Sequence, residues 1–323
     1  MRAVPSAALV LGVVVLVLLV CPAAPADKPA RIGVLATAAW PPFDSLRAGL
    51  RDLGYVEGGN LAIEYRWTEG RDERFSPFAA QLVALKVDLI VTWGTEAAAA
   101  AKAATTTVPV VMAASGDPVG TGLVAGYARP GGNLTGMSAL NPDLEGRRLE
   151  LLKEVVPRLA RVALLGRRGS HLYALMLSEA RRSAQRLGVR LSPIEVLTAA
   201  ELPDAFVRMT RERTEALVVA PDTVFVRERA QLAELAIKQR LPSIFLHTEH
   251  VVAGGLMAYG PDYHDLFRRA ASYVDKILKG ARPADLPIQQ PRKFELLINL
   301  KTARAMGLTV PPSLLLRADK IVQ

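Results

Sequence analysis

The sequence predicts an α/β protein built as two doubly wound parallel-sheet lobes. Three observations carry that expectation. Short apolar runs of strand length alternate with longer segments whose apolar residues recur at helical spacing. The alternation is played through twice, in successive sets of roughly 110 to 120 residues, each of domain size. Several strands break at Gly, Pro, Ser or Asp, and in open α/β sheets ligands bind just beyond the carboxyl ends of strands.

The clearest unit is Thr105–Val124. Val108–Ala114 (VPVVMAA) reads as a buried parallel strand, and Ser115-Gly116-Asp117-Pro118 stops it with a tight turn. A hydroxyl, a bare backbone and a carboxylate placed there could form one wall of a cleft; a solvated βα turn would look the same. Upstream, Arg31–Ala36 is a first strand, followed by helix Phe43–Leu53 with Leu46, Leu50 and Leu53 in register and Gly54 as its stop. Leu61–Trp67 alternates as a second strand, and Glu73–Leu85 carries a helical stripe. Val87–Trp93 is a third strand running into Gly94-Thr95 and the alanine-rich helix Glu96–Ala104, for which Thr95 is the expected N-cap. Free amides there could hold a carboxylate. Leu134–Leu140 closes the first set as a strand.

The second set runs helix Leu144–Val155, strand Arg161–Leu165, helix Leu172–Leu187 and strand Val189–Val196. Thr198 and Glu201 then have capping-box spacing. Strand Ala216–Ala220 breaks at Pro221-Asp222-Thr223 before a helix bearing Val226, Ala230, Ala233 and Ile237. Strands at Ser243–Leu246 and Leu256–Tyr259 follow. The tail adds helix His264–Leu278, a Pro-rich link over Pro283–Pro291, strand Phe294–Ile298 and helix Leu300–Met306. A tail this long suggests that the chain crosses back between the lobes.

The amino terminus reads as a leader. Arg2 precedes an apolar run from Ala7 to Val20, and Ala24-Pro25-Ala26 offers a small-x-small cleavage pattern. Fourteen residues of helix reach only ~21 Å, short of the ~30 Å hydrocarbon core, so export with removal of 1–26 is expected rather than anchoring. The single cysteine, Cys21, lies in that leader beside a weak lipoprotein-like box, Leu18-Leu19-Val20-Cys21. Lipid anchoring there is the less favoured alternative, and the mature fold is expected to rely on its core rather than on disulfides. The net charge of +9 comes from arginines scattered over many segments and interleaved with acids, which argues against a nucleic-acid partner. No Gly-x-Gly-x-x-Gly follows the first strand and no Walker-type loop occurs, so no nucleotide cofactor is expected.

Several phrases add up to a family resemblance. They are GYVEGGNLAIEYRWTEG (54–70), LVALKVDLIV (82–91), ASGDPVGTGLVAGYARPGGNLTG (114–136), RRLELLKEVVP (147–157), AGGLMAYG (253–260) and the stretch 273–322 beginning YVDKILKGARPADLPIQQP. Together they resemble the substrate-binding proteins of ABC transporters in the tryptophan/tyrosine-type uptake group. The resemblance spans nearly the whole mature chain. It implies a type I periplasmic binding fold whose two lobes, joined by a three-segment hinge, close on a small amphipathic ligand such as an aromatic amino acid. It also implies a periplasmic location, a membrane permease as partner and a monomeric binding protein. The expected division is 27–140 plus 260–282 for lobe one and 141–259 plus 283–323 for lobe two, with crossings near Leu140, Tyr259 and Arg282. A ligand-sensing module for a membrane signalling partner would use the same closed form and is the alternative.

Such a site needs contacts from both lobes. Lobe one offers Thr37 and Trp40 after its first strand, Gly94 and Thr95 after the third, and Ser115 and Asp117 after the fourth; lobe two offers Asp222 and the crossover residue Tyr259. Trp40 is a candidate to stack on an aromatic ligand. Asp222 is a candidate to receive an ammonium, with Asp117 expected to face it across the cleft. An enzyme is not expected. Only four histidines occur, and His247-Thr248-Glu249-His250, at a strand-to-loop transition, lacks the helical facing that makes His-Glu-x-x-His a chelate, so no metal is expected.

Overall fold

The structure, a computed structural model, describes residues 28–323. The leader expected at 1–26, Cys21 included, lies outside the described residues. Along the chain run β1 (Ala30–Ala36), α1 (Pro42–Asp52), β2 (Leu61–Trp67), α2 (Phe75–Ala84), β3 (Leu89–Trp93), α3 (Thr95–Ala104), β4 (Val110–Ser115) and β5 (Leu134–Ser138). These five strands form one parallel sheet in the order β2-β1-β3-β4-β5. The inner strands β3 and β4 are buried at every position, which is why they read as continuous apolar runs instead of alternating ones. α2 and α3 cover one face around Ala79, Leu82, Ala97 and Ala101. On the other face α1 packs with a helix that arrives from far along the chain.

The second set comprises α4 (Glu145–Val155), β6 (Arg161–Arg167), α5 (His171–Leu187), β7 (Arg190–Val196), α6 (Leu202–Arg211), β8 (Ala216–Val219), α7 (Thr223–Arg227), α8 (Arg229–Lys238), β9 (Ser243–Phe245), α9 (Glu249–Val252) and β10 (Met257–Pro261). After α10 (Tyr263–Leu278) come β11 (Phe294–Asn299), α11 (Leu300–Met306), α12 (Pro312–Leu315) and β12 (Lys320–Val322). The second sheet has the order β12-β11-β10-β9-β8-β6-β7. It is parallel from β7 through β10, whereas β11 is antiparallel to β10 and parallel to β12. The reversal follows from the path. β10 runs toward the other sheet and α10 packs there on α1, so the chain re-enters the second sheet in the opposite direction.

Three segments pass between the sheets: the turn from β5 to α4, the short link from β10 to α10, and Gln290–Lys293. The third lies beyond the position near Arg282 expected from the Pro-rich link. Residues 286–289 first lie alongside β5, where Ser138 donates its amide to the Gln289 carbonyl at 2.8 Å and Gln289 donates to Gly136 O at 2.9 Å. The tail to residue 289 therefore edges the first sheet, a correction to the expected start of the second lobe's tail at 283.

Two capping expectations are also corrected. Gly94 at φ +94 caps α3, a backbone conformation suited to glycine, and Thr95 is the first helical residue. Thr198 makes no capping bond; Glu201 instead accepts the Leu197 amide at 3.2 Å and a 3₁₀ turn leads into α6. The helix expected after β8 is split at Glu228 into α7 and α8, and α9 occupies the segment expected as a loop after β9.

Candidate ligand-binding site

A narrow cavity lies where the carboxyl ends of the two sheets meet. From the first sheet come Thr37 after β1, Trp93 and Gly94 at the end of β3, Thr95 and Glu96 opening α3, and Ser115 and Gly116 after β4. Asn141 enters from the first crossing. Across from them stand Leu172 at the start of α5, Asp222, Thr223 and Val226 after β8, His247 after β9, and Tyr263 at the start of α10. Both sheets thus supply polar and apolar wall.

One part of the wall suits a carboxylate. Thr95 and Ser115 are buried, with their hydroxyl oxygens 3.5 Å apart, and the Gly116 amide lies 3.4 Å from Thr95 Oγ1. The β4–β5 register slips between Met112 and Ser115, at the end of β4. Hydroxyls and free amides at a helix start are donors for an anion.

A second part is acidic. Asp222 caps α7 by accepting the Val224 amide at 2.9 Å, and its side chain is only 5% exposed. Burial, then the nearby charge of Glu96, push its carboxyl up to about 7, against the opposing pull of the Val224 amide and Arg167. Burial likewise raises Glu96 above the usual carboxylate range, with Asp72 adding to the rise. Arg167, the last residue of β6, meets the Asp72 carboxylate ahead of α2 and lies 3.8 Å from Asp222. Thr223 Oγ1 is 3.5 Å from Asp72 as well, so the two sheets are tied together at this edge. A buried acid pair only partly balanced by Arg167, next to a wall of hydrogen-bond donors, is the constellation that an ammonium group relieves.

The third part is aromatic. Trp93 faces the cavity with Trp40 stacked behind it at 4.2 Å and 15°, while Tyr263 and Phe267 meet Trp40 edge-on at 4.8 and 5.6 Å. His247 sits among them, with ring centroids 5.5 Å from Trp40 and 5.0 Å from Tyr263. Burial holds His247 well below the usual imidazole pKa, so the ring is neutral. The other histidine of this segment, His250, is also buried and neutral, pushed down to about 4. Its nitrogens lie 3.1 Å from the Phe225 carbonyl and 3.3 Å from that of His247. No cluster with metal-ligating potential occurs among the described residues.

Of the eight residues singled out from the sequence, Thr37, Gly94, Thr95, Ser115 and Asp222 line the cavity, and three do not. Trp40 is one layer back because Trp93 takes its exposed face. Asp117 is spent on its own turn, accepting the Gly120 amide at 2.9 Å and the Tyr127 hydroxyl at 3.3 Å. It does not face Asp222; the acid facing Asp222 is Glu96. Tyr259 is held in the β10–β11 ladder opposite Leu296, with its ring 6.1 Å from that of Phe294. Among the residues missed, Glu96 had a readable signal, an acid in the first turn of a helix that directly follows a strand end. His247, two residues beyond the end of β9, had the same strand-end signal as Asp222, whereas Asn141 and Tyr263 had none, because only the crossings bring them to the cavity.

Comparison with known proteins agrees with this geometry. Residues 38–322 match the family model described as ABC transporter substrate binding protein. A curated relative, the tyrosine-binding protein of Clostridioides difficile strain R20291, is 26% identical over 286 residues, 87% of this chain and 82% of that protein. Among solved structures, an ABC domain of Streptococcus pneumoniae in complex with L-Trp is 30% identical, covers 91% of this chain and 100% of its own, and superposes with a TM-score of 0.85. A conserved domain protein from Vibrio cholerae gives 29% identity, coverage of 91% and 100%, and a TM-score of 0.86. The chain belongs to the ABC transporter substrate-binding protein family, with the type I periplasmic binding fold.

Proposed function

We propose that this protein is the exported, monomeric solute receptor of an ABC importer, and that its cavity takes an aromatic L-amino acid for delivery to a membrane permease. The carrying observation is that one cavity combines the hydroxyls of Thr95 at the start of α3 and of Ser115 at the end of β4, an acid pair at Glu96 and Asp222, and an aromatic wall led by Trp93. An amino acid with an aromatic ring satisfies all three at once. The L-Trp bound to the Streptococcus structure and the name of the tyrosine-binding relative point to the same class. Catalysis has no role in this reading: the ligand leaves unchanged. The leader at 1–26 supports export to the periplasm.

A thermal-shift screen of the mature protein against amino acids and small carboxylates tests the proposal. A ligand at 100 times its Kd adds about 2.7 kcal/mol of stability. Aromatic amino acids should give the largest shifts and be recovered intact by mass spectrometry. A screen in which sugars or simple carboxylates outperform them would refute the ligand class, and a chemically altered ligand would refute the receptor role.

A further inference from the structure

The cations that are scattered along the sequence are gathered by the fold. Nearly all of the net charge of +9 falls on the part of the chain that builds the second sheet; residues 28–140 and 260–289, which build the first sheet and cover it, are close to neutral. Where parallel strands are linked by crossover helices, strand starts and helix ends share the pole opposite the strands' carboxyl ends. At that pole of the second sheet Arg161 and Arg190 are direct partners at the starts of β6 and β7. Arg161 Nε donates to the Arg213 carbonyl at 2.7 Å, just ahead of β8. Arg158 lies between α4 and β6, Arg211 ends α6, Lys238 ends α8, and Arg240 follows it before β9.

The acids at these helix ends and strand starts do not balance them. Glu154, Glu212 and Glu215 are already taken, by Arg317, Arg208 and Arg161. Arg158, Arg190, Arg211, Arg213, Lys238 and Arg240 are exposed and form no ion pair among the described residues. A helix dipole favours a cation at a carboxyl end, but the same ends around the first sheet show that the excess is not a consequence of the dipole. There Asp52, Asp275 and Asp285 stand beside the cations, paired with Arg268, Lys279 and Arg282. Two of the six unpaired cations also occupy backbone that glycine takes more cheaply: Arg213 at φ +53 and Arg240 at φ +48 directly follow α6 and α8, whereas Gly188 at φ +67 follows α5. Strained backbone that keeps an exposed cation with no partner inside the protein calls for a partner outside it.

We propose that this pole of the second sheet is a docking surface for an anionic phospholipid bilayer. The inference takes from the functional reading only that the protein works beside a membrane, and nothing about what fills the cavity. Arginine predominates, and its planar guanidinium pairs well with phosphate oxygens. Cations near an anionic leaflet add their contributions, so a cluster holds a protein where one would not. Segments 156–160, 186–190, 211–215 and 238–242, which form the pole, contain no Trp, Tyr or Phe on which bases could stack, which favours a lipid surface over single-stranded nucleic acid. The cavity lies at the opposite ends of the same strands, so docking leaves it free and confines the receptor's search for a permease to the membrane plane.

The test is flotation of the mature protein with vesicles of pure phosphatidylcholine and of phosphatidylcholine mixed with phosphatidylglycerol, at low and at physiological salt. The wild type should float only with the phosphatidylglycerol vesicles, and less as salt screens the contact. The double variant Arg213→Gly with Arg240→Gly relieves the backbone at both positions, so it should melt no lower than the wild type. Each cation near an anionic surface is worth about a fivefold factor, so the double variant should lose ~10- to 30-fold in partitioning. Lys86→Gly is the matched control, at φ +54 in the same place after α2, and should lose none. Absence of wild-type flotation with phosphatidylglycerol at low salt, or equal flotation with phosphatidylcholine alone, overturns the proposal whatever the variants do. An equal loss in Lys86→Gly also overturns it, since overall charge and not the pole would then act. A DNA duplex bound as tightly as the anionic vesicles at the same salt overturns the lipid assignment. None of these outcomes bears on the amino-acid reading of the cavity, which the thermal-shift screen decides.

Discussion

Removing Arg167 should weaken ligand binding without touching the ligand. Its guanidinium joins the sheets by pairing with Asp72, and neither residue lines the cavity. Both side chains are a little over one-fifth exposed, at 23% and 22%, so the pair is screened less than a surface pair but is not fully desolvated. Exposed pairs contribute ~0–1 kcal/mol and hydrogen bonds to charged groups ~1.5–3 kcal/mol, which places this latch at about 1–2 kcal/mol. Losing it shifts the closed–open equilibrium by roughly 5- to 30-fold, and the apparent Kd rises in proportion when closed molecules become the minority. Arg167→Met keeps the apolar stem while removing the charge. Small-angle scattering should show a larger radius of gyration for the ligand-free variant, and titration the weaker binding. Asp72→Asn should behave alike, and the double variant should be little worse than either single one, because both delete the same contact. Fully additive effects in that cycle, or unchanged scattering with unchanged Kd, would refute the latch.

Three other outcomes follow from the site and the sheets. Asp222→Asn keeps a capping acceptor for the Val224 amide, so the variant should fold, while loss of a charge-assisted contact should raise Kd ~10- to 150-fold by titration. The Asp222 carboxyl, at about 7 in the fold against an ordinary 3.8, binds protons that the unfolded chain releases, so its contribution to stability is present below pH 3.8 and lost as pH rises through 7. A ligand ammonium favours the ionised form, so wild-type binding below pH 7 should expel a proton and weaken as pH falls; calorimetry in buffers of different ionisation enthalpy measures this, and equal proton release by Asp222→Asn would refute the assignment. Gly136, at φ +131, would place a Cβ 2.2 Å from the Met112 carbonyl oxygen, so Gly136→Ala should cost ~2–4 kcal/mol in chemical denaturation; a loss below ~0.5 kcal/mol would refute the strain argument.

The two-lobe architecture was legible because buried parallel strands are continuous apolar runs and their helices carry apolar stripes, signals that survive without knowledge of partners. Strand ends were legible for the same reason, and five cavity residues follow directly from them. Burial order was not. Nothing local distinguishes Trp40 from Trp93, yet the stacking of one on the other decides which meets the ligand. Asp117 and Asp222 sit in similar strand-end turns, but the first is used up by Gly120 and Tyr127 while the second caps α7 with its remaining oxygen toward Arg167. The antiparallel β11 and the late third crossing depend on where α10 docks, a long-range contact that periodicity does not carry.

The distribution of charge within the cavity narrows the ligand further than its shape does. The chain carries a net charge of +9, yet Arg167, 3.8 Å from Asp222, is already shared with Asp72. What lines the cavity is Glu96 and Asp222, each with its carboxyl raised by burial and by the other acids around it. Two like charges forced together in a poorly solvated space hold protons beyond their ordinary range, and a cation between them releases that strain. The carboxylate wall alone would admit any small acid, but beside this pair a ligand that brings only negative charge meets repulsion. A zwitterion satisfies both walls, and its binding draws the sheets together because Glu96 and Asp222 stand on opposite sides. On the proposed reading, selectivity for a zwitterion and closing of the lobes would both follow from one arrangement of two acids.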